Sequence, residues 1–327
     1  MKVNAKALVS EAKKTINDPL KMKIAGNEIK NVLLTIFKYV ILIGVSYVIL
    51  APVIGMFVNS IKSDADAFNP MVFVLPHHPT LEKYKLAILR LDYWKTAAKS
   101  LAYTATITVI QLLVCSMVGY GFARFSFPFK KLLFGCVIIT IVIPSHTIML
   151  PLYMTFKSFD PFGLGTMLTG TAGSMGTVIP MYVMTILGCG LRSGLFIYIF
   201  NQFFRGLPKE IEEAAFVDGA GMFYTYMRIM LVNAMPAVIT VTVFSIVWQF
   251  NDVFFAKLFL IPDSTAISKR IASLQGIIAN EDQILSLTLQ ELYRDAGALL
   301  VIVPVVIIYL ALQKNFIEGV ERSGIVG

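Results

Sequence analysis

Charged side chains are scarce here: 15% of the 327 residues are Asp, Glu, Lys or Arg, against 57% hydrophobic, and the mean hydropathy is +0.74. A chain this apolar cannot cover itself with water-compatible groups, which excludes a soluble globular domain and makes a bilayer its solvent. Cysteine is nearly absent. Cys115, Cys136 and Cys189 all fall in apolar runs, away from metal-ligand spacing or an oxidising loop, and are expected as small buried hydrophobes. Histidine occurs as the pair His77 and His78 and as His146 just after Pro144, a pattern that suits a solvated loop and a helix kink better than a metal site. No Gly-x-x-x-x-Gly-Lys-Ser/Thr segment exists to cradle phosphates, so any ATP used must be hydrolysed by another chain. The net charge of +8 is spread over flanks and loops without a basic, aromatic-interleaved stripe; it speaks for membrane orientation and against nucleic acid as a partner.

What the chain has in abundance is apolar runs. A helix needs about 20 apolar residues to cross a bilayer, and six stretches qualify: 32–58, 101–122, 132–156, 178–204, 236–261 and 296–312. The expected fold is therefore an all-α membrane protein with six transmembrane helices, preceded by a basic leader over residues 1–30. Lys2, Lys6, Lys13, Lys14, Lys21, Lys23 and Lys30 crowd that leader, and Arg124, Lys130 and Lys131 follow the second run. By the positive-inside rule both segments face the cytoplasm, and six crossings then bring the C-terminus, with Lys314 and Arg322, to the same side. Lys62, Lys83, Lys85, Arg90, Lys95 and Lys99 in the long first loop argue the other way, but long loops obey the rule less strictly. The first apolar run follows a charged leader and is too long for a signal-peptide core, so it is expected to remain as an anchor. The leader suits either an amphipathic helix on the inner leaflet or a disordered basic tail.

One polar stretch interrupts the apolar pattern: Arg205-Gly-Leu-Pro-Lys-Glu-Ile-Glu-Glu-Ala-Ala-Phe-Val-Asp-Gly-Ala-Gly. Pro208 suits the first turn of a helix, where its missing N–H costs nothing, and Glu210, Glu212 and Glu213 lie where the positive end of the helix dipole favours acid. Ala214 and Ala215 present a nearly smooth face, and Gly219 and Gly221 permit the turn that ends the helix. The spacing of Glu213-Ala214-Ala215, then Gly219, then Ile229-Met-Leu231 resembles the EAA loop of binding-protein-dependent ABC importers. One departure is visible: Val232 stands where that family usually has Pro, with Pro236 following.

The likeness extends along the chain. Asn59-Ser-Ile-Lys62, Pro79-Thr-Leu-Glu-Lys-Tyr84, Gly119-Tyr-Gly-Phe-Ala-Arg124, Ile143-Pro144 with Pro151-Leu-Tyr153, Gln202-Phe-Phe, Asn251-Asp252 and Leu312-Gln313 with Gly319 resemble the carbohydrate-type permeases, the shorter of the two membrane subunits in these importers. The family's Trp-Asn in span five is replaced here by Phe250-Asn251, with Trp248 two positions earlier. The resemblance implies a six-span permease domain over residues 31–327 in the bacterial or archaeal plasma (inner) membrane, with the EAA-like loop at 205–231 on the cytoplasmic side. Glu213, Ala214, Ala215, Asp218 and Gly219 would couple it to an ATPase. The implied partners are a second permease, two ATPase subunits carrying ATP and Mg, and an extracytoplasmic solute-binding protein. The cargo would be a sugar or oligosaccharide, or else a glycerol phosphate, polyol or other solute.

Five residues are candidates for the solute path. Arg192 is a charge inside an apolar run, and such charges face a cavity or a partner. Its alternatives are a pairing with an acid or carbonyl of the partner permease or a place at the outer interface. Trp248, Gln249, Asn251 and Asp252 combine an aromatic face with hydrogen-bonding groups, the chemistry a sugar needs, and helical spacing would put Trp248, Gln249 and Asp252 on one face. They equally suit the capping of the span. The polar segment 262–295 carries Ile267, Ile271, Leu274, Ile277 and Ile278 at helical spacing, which predicts an added extracytoplasmic helix placed to touch the binding protein. A secondary transporter or channel would show paired charges in several spans and an inverted repeat, neither of which is evident; a membrane scaffold would leave the loop spacing without a reason.

Overall fold

The computed structural model describes the backbone of residues 19–72, 75–170 and 173–324, and among these residues it is helical throughout, without a strand. The basic-leader reading lies outside the described residues as far as residue 18. The chain divides into two compact units, residues 1–58 and 59–327. The first is carried by helix α1 (Pro19–Ser60), long and apolar enough from Lys30 to cross a membrane.

The second unit begins with short helices α2 (Asp64–Ala67) and α3 (Glu82–Leu91), then the long central α4 (Tyr93–Arg124). No proline interrupts α4, and its buried stripe follows the helical period through Thr96, Ser100, Thr104, Thr108, Gln111, Cys115 and Gly119. That stripe is polar while Val109, Leu113 and Met117 face outward. The arrangement inverts that of a water-soluble helix, because hydrocarbon accepts the apolar face and the hydroxyls and amide must find partners inside.

Where six crossings were expected, three helices are long enough to span unaided: α1, α4 and the terminal α16 (Leu287–Gly324); counting each sharply bent pair as one span raises this to five. The third run divides into α5 (Lys130–Val142) and α6 (Met149–Ser158), bent by 102° where Pro144 removes a backbone donor. A short α7 (Leu164–Thr169) follows. The fourth run divides into α8 (Ile179–Ile186) and α9 (Ser193–Gly206) across residues 187–192, where Gly188 and Arg192 take positive φ. Beyond α10 (Glu210–Val217) comes α11 (Met222–Asn233), which contains a π-helical turn over Thr225–Met230 and meets α12 (Met235–Phe250) at 78°. The fifth run then breaks again after Phe250, before α13 (Phe254–Leu258).

The polar segment after Ile261 forms two short helices, α14 (Ile267–Ala272) and α15 (Leu274–Glu281), instead of one. Ile267, Leu274 and Ile278 are buried with Ala87 and Leu91 of α3 and Tyr293 of α16, and Ile271 packs beside them. Arg90 ties this cluster with Nη1 2.6 Å from Glu281 and Nη2 2.5 Å from Asp282. Only Cys115 is buried; Cys136 and Cys189 are exposed, which corrects the expectation for those two.

The most extensive helix pairing in the second unit is α4 against α9. Gly119 makes it possible: a Cβ there would lie 2.6 Å from the Phe200 Cβ and 3.0 Å from backbone atoms of Ile197 and Asn201. Around this contact Cys115, Tyr120, Phe196, Phe200, Phe204, Tyr226 and Met230 form one buried cluster.

Candidate functional site

Helix α10 starts where Glu212 and Glu213 backbone amides close on the Lys209 carbonyl, and ends where Gly219, at φ +82°, turns the chain out of the helix. Its eight residues divide sharply. Ile211 packs on the apolar cluster, and Glu212 and Ala215 are buried. Glu213, Ala214, Phe216, Val217, Asp218 and Gly219 are exposed, Val217 at 87% of its full surface. Of the five residues assigned to coupling, four thus lie on the outward surface and Ala215 faces the chain's own interior, because helical period puts it one turn from Ile211. Glu212 has the most built surroundings: its Oε2 lies 2.9 Å from Arg124 Nε, and its Oε1 accepts a 2.5 Å hydrogen bond from the Tyr120 hydroxyl. Nothing in the sequence separated Glu212 from Glu210 and Glu213, since all three suit a helix N-terminus equally.

The structure brings Arg192 and Trp248 together. Arg192 is the left-handed residue just before α9, at φ +60°, a conformation that costs a non-glycine residue about 1 kcal/mol. This turns its guanidinium over the Trp248 ring, 5.4 Å from the centroid, in cation–π range. Phe196 and Phe244 stack on the same indole at 5.7 and 5.2 Å.

Gln249 and Asp252 are placed elsewhere. Gln249 is buried, neither of its amide atoms has a hydrogen-bond partner among the described residues, and it lines a small cavity with Ser100, Tyr103, Thr104, Asp252 and Ser268. Asp252 caps α13, accepting from the Phe255 and Ala256 amides at 3.2 and 3.1 Å. Asn251 is exposed and donates back to the Val247 carbonyl at 2.8 Å. The expected shared face of Trp248 and Asp252 is absent, because α12 stops at Phe250 and four-residue spacing no longer stacks side chains beyond its end.

Sequence reasoning passed over a buried network beside these residues. The Gln111 amide donates to the Leu191 carbonyl at 2.7 Å and to Ser193 Oγ at 3.0 Å; Ser245 Oγ donates to Gln111 Oε1 at 2.8 Å and lies 2.9 Å from Thr108 Oγ1. It joins α4 and α12 to the break before α9. A lone amide within an apolar run was the available signal, since a buried amide must find partners.

Comparison with known proteins gives a consistent picture. Residues 111–322 match the family model described as "Binding-protein-dependent transport system inner membrane component". The chain is 24% identical over 297 residues to the osmoprotective compounds uptake permease protein GgtD of Synechocystis sp., covering 88% of this chain and 91% of that one. It is 25% identical over 281 residues to the trehalose transport system permease protein SugB of Mycobacterium tuberculosis, covering 85% and 93%. Among solved structures, the fold is shared with a chain of a bacterial ABC transporter involved in the import of the acidic polysaccharide alginate, at a TM-score of 0.69, 21% identity and coverage of 88% and 98%.

Proposed function

The chain belongs to the family of binding-protein-dependent transport system inner membrane components, and from that premise we propose that it is one half of the pore of an ATP-driven sugar or oligosaccharide importer. The observation that carries the reading is α10. It is a short, rigid helix anchored from within by Glu212, with Glu213, Ala214, Val217 and Asp218 turned out as a docking face. A short loop helix set on the chain's own core yet presenting its other face is suited to pass a push from a second protein. Support for a carbohydrate cargo comes from the relative named for trehalose transport.

In this proposal a second permease completes the pore, two ATPase subunits bind ATP and Mg and grip α10, and an extracytoplasmic binding protein delivers the solute. The chain crosses the membrane six times, with the broken third, fourth and fifth runs each counting once and both termini in the cytoplasm. ATPase closure draws the coupling helices together and turns the permeases from inward-open to outward-open; nucleotide drives the change because it binds the two states differently. The breaks at Pro144, Gly188 and Asn251 are where such helices would flex.

The solute path in this reading runs beside Arg192 and Trp248. A planar guanidinium donates to paired hydroxyls or a carboxylate, and the neighbouring indole, stacked with Phe196 and Phe244, holds it in place by the cation–π contact. The test is uptake of a panel of radiolabelled sugars and oligosaccharides by cells in which the gene is deleted and then restored. Loss and recovery of one saturable sugar uptake is expected; loss of uptake of some other solute alone would move the cargo out of the sugar class. Arg192→Gln in the same cells should lower that uptake about tenfold, with normal protein level, from loss of a charged hydrogen bond. Unchanged uptake of every solute would remove Arg192 from the path.

A further inference from the structure

A buried ion pair fastens α10 to the central helix α4, and its position suggests more than support. Arg124 and Glu212 side chains retain only 7% and 9% of their exposure. Removing one charge from such a pair leaves the other uncompensated, so the two act as a single fixed joint. Arg124 grips the approach to α10 as well as the helix itself: its Nη2 donates to the Leu207 carbonyl at 2.8 Å, while its Nε lies 2.9 Å from Glu212 Oε2, an ion pair without hydrogen-bond geometry. The Tyr120 hydroxyl holds the other carboxylate oxygen, so both Glu212 oxygens are engaged.

The same face of α4 also holds the exit from the loop. Ser116 Oγ lies 2.6 Å from the Tyr226 hydroxyl in the π-helical turn, and the Tyr120 ring packs 5.2 Å from that of Tyr226. Ser116, Tyr120 and Arg124 recur every four residues and form one stripe. The stripe contacts the segment before α10, α10 itself and the segment after it. Any displacement of α10 must therefore carry the end of α4 with it or break this set.

We propose that Glu212, clamped by Arg124 and Tyr120, is a positioning residue that transmits the movement of α10 to α4, so that the outward face of the loop receives the ATPase and this inward joint delivers the stroke to the pore. The inference rests on the permease reading above. Glu213 and Glu212, adjacent in sequence, then have opposite duties: one faces the partner, the other the chain's own span.

The test uses the full complex with its partner permease, ATPase and binding protein in liposomes, and measures solute moved per ATP hydrolysed. That ratio is unaffected by a loss in the amount of folded protein. Glu212→Gln keeps shape and removes charge; the complex is expected to assemble and hydrolyse ATP while solute moved per ATP falls about tenfold, the scale on which a link in a coupling network acts. Tyr120→Phe removes a single hydroxyl and keeps the ion pair; it is expected to lower the ratio about threefold, and it decides the matter if Glu212→Gln fails to assemble. A wild-type ratio in every assembled variant would overturn the joint while leaving the permease reading intact. A wild-type complex that moves no solute when its ATPase is active would overturn that reading itself.

Discussion

A chain carrying Glu213→Lys together with Gly219→Trp is expected to purify from detergent with a second permease and without an ATPase, whereas the wild type brings both. Both positions lie on the outward surface of the loop around α10, and among the described residues nothing beyond the immediate chain neighbours comes within 4 Å of a Cβ built at Gly219. The variant therefore loses little packing of its own. What it changes is the surface offered to a partner: one charge is reversed, and a bulky ring stands where a close approach needs none. Gly219 also sits at φ +82°, which a tryptophan adopts only under strain and which displaces the end of the loop. Charge reversal and a blocked contact at the centre of an interface together cost about 3–4 kcal/mol, on the order of a hundredfold or more in affinity. Mass spectrometry of the co-purifying chains measures it. Equal recovery of ATPase with both proteins would show that α10 is not the docking surface.

The second large effect is expected inside the membrane unit. Gly119→Leu should abolish the α4–α9 packing and, with it, recovery of monodisperse protein. The obstruction there is the Phe200 Cβ at 2.6 Å and the backbone of Ile197 and Asn201 at 3.0 Å, none of which is the free end of a flexible side chain. Either the helices separate or Phe200 leaves the buried cluster, at a cost of about 3 kcal/mol or more. Gly121→Leu, two positions on, is the control: its nearest obstacle is the Phe125 ring edge at 4.0 Å, and its added side chain finds room. Thermal unfolding in detergent compares the two. A Gly119→Leu protein as heat-stable as Gly121→Leu would mean that the close contact of α4 and α9 is not required.

The two cases differ in how far the sequence foretells them. Glu213, Ala214 and Gly219 were legible as the outward surface of a short loop helix because polar, acid-rich, glycine-ended spacing between apolar runs suits little else. Gly119 was visible as the start of the Gly119–Arg124 motif, with nothing to show its contact; the atom it must not touch belongs to a helix some eighty residues away.

The same division holds across the protein. Composition and apolar run length determined that the chain is helical and lives in a bilayer, since water cannot solvate such a surface and hydrocarbon tolerates no unpaired backbone. Local spacing determined the loop and marked Arg192 and Trp248 as unusual residues for an apolar setting. A kink was legible at Pro144, but tertiary structure decided how sharply the third run turns and that the fourth and fifth break as well, because hydropathy is identical for a straight helix and a bent one and Gly188 and Asn251 merely permit a break that packing selects. It decided, too, that Arg192 lies over Trp248 while Asp252 caps the next helix, and that of three neighbouring glutamates only Glu212 turns inward to Arg124. Helical period offers each side chain a direction; only the helices packed against it determine whether that direction leads to lipid, to a partner or to a buried charge.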